Sequence, residues 1–310
     1  MDTQIKNINI AVTNRCNLKC IMCDIWQEIP KIDLPLYAVE KILQSKRIDK
    51  DVDITLTGGE PFLNENLFEI TKAIIKKKPN SLQTISTNGI LTNRIIDYLA
   101  EFSQSLPKGF SLHISMDGLT SHDKQRGADS LNRIKDTIKR IKADYPSINI
   151  KIKFTITPLN YLDILPTYAF CKNQGLGFRV KLVEYAENYT NKNKGEKFNF
   201  TGEMKREIAK QLVCIYYKKK VIDKENAEFI KNTIKNLFGK QEKSLCKTPF
   251  ERIFIMPDCD VYSCIHFKKI GNLNENALDD IWESPKAQAL RYIVQQEQCA
   301  KCVSYHGLTL

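Results

Sequence analysis

No stretch of this 310-residue chain approaches the apolar run of about 20 residues that a membrane-crossing helix needs. The N-terminus, Met1-Asp2-Thr3-Gln4, is polar and lacks the apolar core of an export signal. The two absences exclude a membrane segment and point to the cytoplasm. They also set the meaning of the ten cysteines. Thiols in a reducing compartment stay reduced, so closely spaced cysteines read as metal ligands and not as disulfides. Acidic residues are in deficit: 36 Asp and Glu stand against 47 Lys and Arg, a net charge of +11. Lysine supplies most of the excess, in scattered runs such as Lys76-Lys77-Lys78 and Lys218-Lys219-Lys220. Such runs read as solvated helix faces, which argues against a phosphate track and a nucleic-acid partner. The length suits a barrel with an appendage.

What is present begins with Cys16-Asn17-Leu18-Lys19-Cys20-Ile21-Met22-Cys23, directly after an apolar run, Ile8 to Val12, that reads as a strand. The cysteines therefore sit on a loop at a strand's carboxyl end, where α/β sheets place their ligands. Soft thiolates at this spacing select zinc or an iron–sulfur cluster. A structural zinc site takes four ligands, usually as two CxxC pairs, and here there are three. A cubane held by three thiolates keeps one iron open. Zinc, or unligated buried thiols, are the competing readings. A second strand, Asp53 to Thr57, runs into Gly58-Gly59-Glu60-Pro61. Two glycines let backbone come close to a ligand, and the Glu60 carboxylate can accept from an ammonium group. By itself this tetrapeptide could be only a turn.

Strands and helices then alternate. Helical spacing covers 36 to 48, 65 to 78, 91 to 103, 129 to 144 and 161 to 173. Strands are expected at Leu82–Ser86, Phe110–Ser115, Ile148–Ile156 and Phe178–Leu182. Six βα-type repeats imply parallel pairing with right-handed crossovers. Ser115 and Asp117, at the end of the fourth strand, are suited to ribose hydroxyls; a simple Asp-Gly turn is the alternative.

The cysteine loop followed one βα unit later by GGEP resembles the signature of the radical S-adenosylmethionine (SAM) superfamily. The resemblance implies a partial (β/α)6 TIM-like barrel, a 4Fe-4S cluster on Cys16, Cys20 and Cys23, and SAM chelated to the open iron. A reduced cluster would then break the SAM carbon–sulfur bond and release a 5′-deoxyadenosyl radical. It further implies that Met22 lies beside the adenine and that Gly58, Gly59 and Glu60 hold the methionyl amino group. Ser115 and Asp117 would line the SAM pocket, and Arg126 would pair with the SAM carboxylate, unless it is a surface arginine. Arg179, Lys181 and Glu184, around the end of the sixth strand, are candidates for substrate or SAM contacts. An electron donor such as flavodoxin or ferredoxin is implied as a partner.

Residues 185 to 200 read as a polar loop or lid, followed by helices near 202 to 219 and 224 to 238. From Cys246 the character changes. A hairpin over 252 to 264 is flanked by Cys246 and Cys264, and Cys299-Ala300-Lys301-Cys302 follows two helices. Four thiolates suffice for a closed zinc site or a 4Fe-4S cluster. This tail is similar to the Twitch domain, a truncated SPASM domain, which implies one auxiliary 4Fe-4S cluster on Cys246, Cys264, Cys299 and Cys302. A full SPASM domain needs further cysteines, and Val303 to Leu310 has none. Cys259 stands in a turn where relatives often have glycine; it is read as a bystander, an alternative ligand or a hydrogen donor. His266 and His306, near this region, are read as neutral surface residues, with a ligand role as the alternative. The expected division is 1–184 barrel, 185–245 lid and connecting helices, and 246–310 auxiliary domain.

The reading favours an enzyme that abstracts hydrogen from a small molecule, carbohydrate-like or an antibiotic precursor, for oxidation or epimerisation. The lack of a leader-gripping N-terminal domain turns it away from a peptide substrate. The lack of a C-terminal Gly-Gly tail turns it away from molybdenum-cofactor assembly, since the chain ends His306-Gly307-Leu308-Thr309-Leu310. A peptide- or protein-modifying maturase is the first alternative. A non-catalytic iron–sulfur or zinc protein that binds nucleic acid is the second, and the GGE motif speaks against it.

Overall fold

The computed structural model describes residues 3–127, 129–185, 191, 198–240 and 246–297. Six parallel strands come first: β1 (Ile5–Thr13), β2 (Ile48–Gly58), β3 (Leu82–Thr87), β4 (Ser111–Ser115), β5 (Asn149–Ile156) and β6 (Gly177–Leu182). Helices α1 (Leu36–Gln44), α2 (Leu67–Lys77), α3 (Thr92–Phe102), α4 (His122–Arg126), α5 (Ser130–Asp144) and α6 (Ile164–Asn173) lie between them. After them come α7 (Gly202–Lys219), α8 (Lys224–Leu237), α9 (Thr248–Glu251), β7 (Arg252–Ile255), β8 (Asp260–Tyr262), β9 (Gly271–Asn272), α10 (Leu278–Glu283) and α11 (Pro285–Glu297). Helix α1 ends earlier than its apolar spacing predicts, because β2 already begins at Ile48.

The sheet order is β6-β5-β4-β3-β2-β1-β7-β8-β9. The first six strands form the expected partial barrel. The tail adds to the same sheet: β7 pairs parallel with β1, Asn7 opposite Arg252, and β8 and β9 follow antiparallel. No helix among the described residues is long and apolar enough to cross a membrane.

Residue type alternates along most of each strand, and that alternation divides the sheet's work. One face carries Ile8, Ile10, Ile54, Leu56, Ile85, Leu112, Ile114, Ile152, Phe154, Phe178 and Val180, all buried in one core with helix residues such as Ile42, Ile74, Leu99 and Ile138. Each such side chain contributes about 1.5–3 kcal/mol when fully buried. The other face carries Asn7, Asn9, Thr55, Thr57, Thr84, Ser86, His113, Ser115, Lys151, Lys153, Arg179 and Lys181. A closed eight-stranded barrel fills its interior with branched apolar side chains. This interior is polar.

The C-terminal elements are fastened to the start of the barrel. The buried Trp282 indole N–H donates to the Thr3 carbonyl at 2.9 Å, and the Arg291 guanidinium lies 4.2 Å from its ring centroid. Lys41 donates to the Leu273 carbonyl at 2.7 Å, and the Ser45 hydroxyl donates to Asp279.

Candidate active site at the strand ends

The loop bearing Cys16, Cys20 and Cys23 leaves the carboxyl end of β1 and is held by the segment after β2. The Gly59 N–H donates to the Thr13 carbonyl at 2.8 Å, and the Glu60 N–H to the Arg15 carbonyl at 2.7 Å. A Cβ on Gly59 would stand 2.0 Å from the Arg15 carbonyl oxygen; one on Gly58, whose φ is +131°, would stand 2.3 Å from that of Thr13. The two glycines thus serve a contact between two backbones at the entry to the cysteine loop. The sequence suggested closeness to a ligand, whereas here the close partner is the chain itself.

Glu60 is fully buried. Its Oε1 accepts from the Thr87 hydroxyl at 2.7 Å and the Phe62 N–H at 3.2 Å, and its Oε2 from the Asn88 N–H at 2.7 Å. Burial lifts its carboxyl to about 7 against the pull of these three donors. The Thr87-Asn88-Gly89 turn after β3 therefore orients the GGEP carboxylate. The same Asn88 donates through Nδ2 to Asn17 Oδ1 at 2.7 Å, inside the cysteine loop.

Asp117 is also fully buried, and it organises the far side of the loop. Its Oδ2 accepts from Arg126 Nε at 2.5 Å and Gln125 Nε2 at 2.8 Å, and its Oδ1 from the Thr155 N–H at 2.7 Å. Arg126 in turn brings Nη1 to 3.8 Å from Cys20 Sγ. Burial weakens the guanidinium's hold on its proton, but Asp117 and Cys20 overcome this and the net shift is upward. Arg126 is consequently no surface arginine: its side chain is 13% exposed. Ser115, the last residue of β4, is half-buried opposite Lys153. Met22 is buried, and its carbonyl accepts from Asn191 Nδ2 at 3.4 Å.

Burial pushes the Cys16 thiol up to about 12 and raises that of Cys20, the latter against the opposing pull of Arg126. Metal loading must displace protons from these sulfurs. Three soft donors on one loop, with a guanidinium beside Cys20 to offset negative charge, fit an iron–sulfur cluster.

Below the loop, β5 and β6 present a cationic wall to the lumen. The Lys153 ammonium donates to Ser86 Oγ at 3.0 Å. Its pKa falls to about 7, first through burial and then through Lys181, Arg179 and Lys151. The neighbouring His113 is pushed down to about 2 by burial and by Lys153, Lys151 and Arg179. His113 Nε2 lies 3.0 Å from Ser111 Oγ, while its Nδ1 is buried with no protein partner. Arg179 reaches Glu225 at 2.7 Å, at an exposed position. Lys151, Lys153 and His113 were not singled out from sequence. Their signal was available: lysine at alternate positions of a strand whose other residues are Ile and Phe.

Of the second cysteine set, Cys246 and Cys264 are half-buried. Cys299, Cys302 and His306 lie outside the described residues, as does most of the expected lid. His266 is not at the surface. Its side chain is 8% exposed, with Nε2 2.9 Å from Glu184 Oε1, because two residues distant in sequence meet there. Cys259 is buried in a left-handed turn, φ 70°, the conformation that favours glycine. Burial raises the pKa of its thiol, with the nearby Tyr37 hydroxyl pulling the other way.

Comparison with known proteins places this geometry. The Radical SAM superfamily matches residues 10–170, and the SPASM iron–sulfur cluster-binding domain matches 246–303. GTP 3′,8-cyclase of Aliarcobacter butzleri is 27% identical over 218 residues, which are 67% of this chain and 64% of that protein. The enzyme of the same name from Nautilia profundicola is 25% identical over 295 residues, 88% of this chain and 85% of that one. Among solved structures, Streptococcus suis SuiB bound to S-adenosylmethionine aligns with a TM-score of 0.68 at 19% identity, covering 93% of this chain and 68% of that one. The anSMEcpe enzyme with bound AdoMet and a Cp18Cys peptide aligns at 0.68 and 18%, covering 97% and 88%. These structural likenesses concern the fold.

The relatives correct one expectation. Their name, GTP 3′,8-cyclase, overturns the reading of a carbohydrate or antibiotic precursor that is oxidised or epimerised. Two terminal residues carry less information than similarity over 218 and 295 residues. The family's cofactors are a SAM-binding 4Fe-4S cluster, an auxiliary 4Fe-4S cluster and SAM itself. With cysteine loop, GGEP staple and polar lumen assembled at one end of a parallel barrel, this chain belongs to the radical SAM superfamily and is a radical SAM enzyme.

Proposed function

We propose that the enzyme acts on an anionic nucleotide, a purine nucleoside triphosphate of the kind named in its relatives, and joins its sugar to its base. The observation that carries this reading is the lumen wall of Lys151, Lys153, Arg179 and Lys181. Burial depresses the pKa of Lys153 first, and repulsion from Lys181, Arg179 and Lys151 adds to it. A polyphosphate would remove that repulsion and restore the lysine's proton. The neutral His113 and Ser86 would add hydrogen-bonding groups without adding charge.

In this reading Cys16, Cys20 and Cys23 hold the SAM-binding cluster, and Cys246, Cys264, Cys299 and Cys302 hold the auxiliary one. When bound, the first cluster supplies the electron that splits the carbon–sulfur bond of SAM into methionine and a 5′-deoxyadenosyl radical. Glu60, kept in place by Thr87 and Asn88, accepts from the methionyl ammonium while Gly58 and Gly59 hold the loop against β2. Arg126 faces the methionyl carboxylate and Cys20, and Asp117 fixes its direction. Met22 packs beside the adenine, and Ser115 borders the ribose. The cationic wall then holds the phosphates deep in the lumen, so the sugar faces the strand ends. A flavodoxin or ferredoxin serves as electron donor, and residues 1–184, 185–245 and 246–310 act as barrel, lid with connectors, and auxiliary-cluster unit.

Closing a ring between C3′ and C8 requires loss of the hydrogen on C3′. Reconstituted enzyme given dithionite, SAM and GTP deuterated at C3′ is expected to release deuterium-labelled 5′-deoxyadenosine. Cleavage of SAM without label transfer, together with no measurable GTP binding, would overturn the nucleotide reading. Label transfer from a peptide in place of GTP would replace it.

A further inference from the structure

The first barrel strand and the last do not pair with each other: β6 ends one side of the sheet, and β7, β8 and β9 extend the other. The mouth of the lumen is therefore open in its backbone. Among the described residues, a side-chain contact between Glu184 and His266 joins the two ends. Glu184 lies two residues beyond β6, after Val183 has continued the β5 pairing through its N–H to the Ile156 carbonyl at 2.9 Å. His266 lies in the turn after β8 that starts at Cys264, where the Phe267 N–H donates to the Cys264 carbonyl at 3.1 Å. The two side chains are 5% and 8% exposed and meet at 2.9 Å. A carboxylate only accepts, so His266 must present Nε2–H to it.

A second contact runs from the same residue to the first cysteine loop. Buried Asn191 donates through Nδ2 to the Glu184 carbonyl at 2.6 Å and to the Met22 carbonyl at 3.4 Å. Glu184 thus touches, by side chain and by main chain, one residue two positions from Cys264 and a bridge to the residue beside Cys23.

We propose that the Glu184–His266 pair is the clasp of this open barrel: a positioning device that fixes the Cys264 turn over the lumen and sets its distance from the Cys16–Cys23 loop. The proposal rests on the reading that Cys264 ligates the auxiliary cluster. Its physical content is independent of catalysis. A buried, charge-assisted hydrogen bond is costly to break from one side, since the surviving partner stays desolvated. Contacts that depend on it open together, and amide exchange reports such local opening.

The test is hydrogen exchange on the full chain before and after cluster loading, in wild type, Glu184→Leu, Glu184→Gln and Cys264→Ala. Glu184→Leu is expected to speed exchange at 263–270 about tenfold or more, with the barrel core at β3 and β4 unchanged. Glu184→Gln keeps an acceptor for His266 Nε2–H and is expected to restore most of the protection. In the loaded protein, Glu184→Leu should keep its full iron content while the magnetic interaction between the two reduced clusters changes, read as altered line broadening in their EPR spectra. Unchanged exchange at 263–270 in Glu184→Leu would overturn the clasp. Exchange that rises equally in the Leu and Gln variants would overturn it as well, because the side-chain contact would then not be the cause. Cys264→Ala separates the two readings: if that variant keeps the auxiliary iron, the ligand assignment fails while the exchange result still judges the clasp.

Discussion

The two faces of the sheet are made from the same strands and do opposite things. In β5, Ile150, Ile152, Phe154 and Ile156 are buried against helices, while Lys151, Lys153 and Thr155 between them face the lumen. The outer face has one requirement, a dry and well-packed layer. The inner face holds three lysines, an arginine paired with Glu225 and a histidine with an unpartnered buried nitrogen, and the burial of Lys153 and His113 there costs stability. The difference teaches where fold ends and chemistry begins: stability is concentrated on the positions that a ligand never reaches. The strand ends form the seam between the two faces, and there Glu60 and Asp117 are buried like core residues yet hold polar groups of the site.

The sharpest break between the faces should come from Cys16→Ala. It is expected to abolish reductive SAM cleavage, measured as 5′-deoxyadenosine, and to leave the melting temperature of the cluster-free protein within a few degrees of wild type. A variant that still cleaves SAM at the normal rate would remove Cys16 from the ligand set. Next in size is Asp117→Ala at the seam. It strands Arg126, Gln125 and the Thr155 N–H, and should cost about 3–5 kcal/mol in denaturant unfolding together with SAM affinity. A loss confined to stability, with SAM affinity unchanged, would make Asp117 a core residue only. Leu56→Ala on the outer face should cost about 2–5 kcal/mol. Protein that remains folded should bind SAM as wild type does; a selective loss of SAM binding would blur the division between faces. Lys153→Met, on the inner face, is the smallest change: about tenfold weaker nucleotide binding, or about 1.4 kcal/mol, with the cluster-free protein no less stable.

Lys153 also gives a pH signature. Its folded pKa is depressed from 10.5 to about 7, so between those values the unfolded chain binds the proton that the folded chain has released. Stability therefore rises with pH across that window through this group, and the folded state bears the full cost of its charge below pH 7. Unfolding curves of the cluster-free protein between pH 7 and 10 should show this rise, and it should vanish in Lys153→Met.

Much of the scaffold was legible because it is local. Alternation in Ile148–Ile156 and helical spacing over 129 to 144 each report a single element's buried face, and β5 and α5 lie there. The cysteine loop and GGEP were legible for the same reason, as short fixed spacings at strand ends. What sequence did not reveal depends on contacts across the fold. Nothing near His266 announces Glu184, 82 residues earlier, and burial of that pair needs the curl of the whole sheet. Asp117 read as a ribose ligand because its neighbours Gln125 and Arg126 return to it only through α4, and Thr155 only through β5. The lysines of β5, unlike Arg179 and Lys181 of β6, looked like more of the solvated surplus. Only the strand register puts them on one wall.

The central claim is that this wall holds an anionic nucleotide, and calorimetry tests it most directly. GTP is titrated into the reconstituted, SAM-loaded enzyme at pH 8 in two buffers of different ionisation enthalpy, alongside Lys153→Met. The predicted result is saturable binding with uptake of protons by the wild type, since a polyphosphate recharges Lys153 above its depressed pKa, and weaker binding with less uptake by the variant. Absence of binding, or equal affinity and equal proton uptake in the two proteins, would contradict the account.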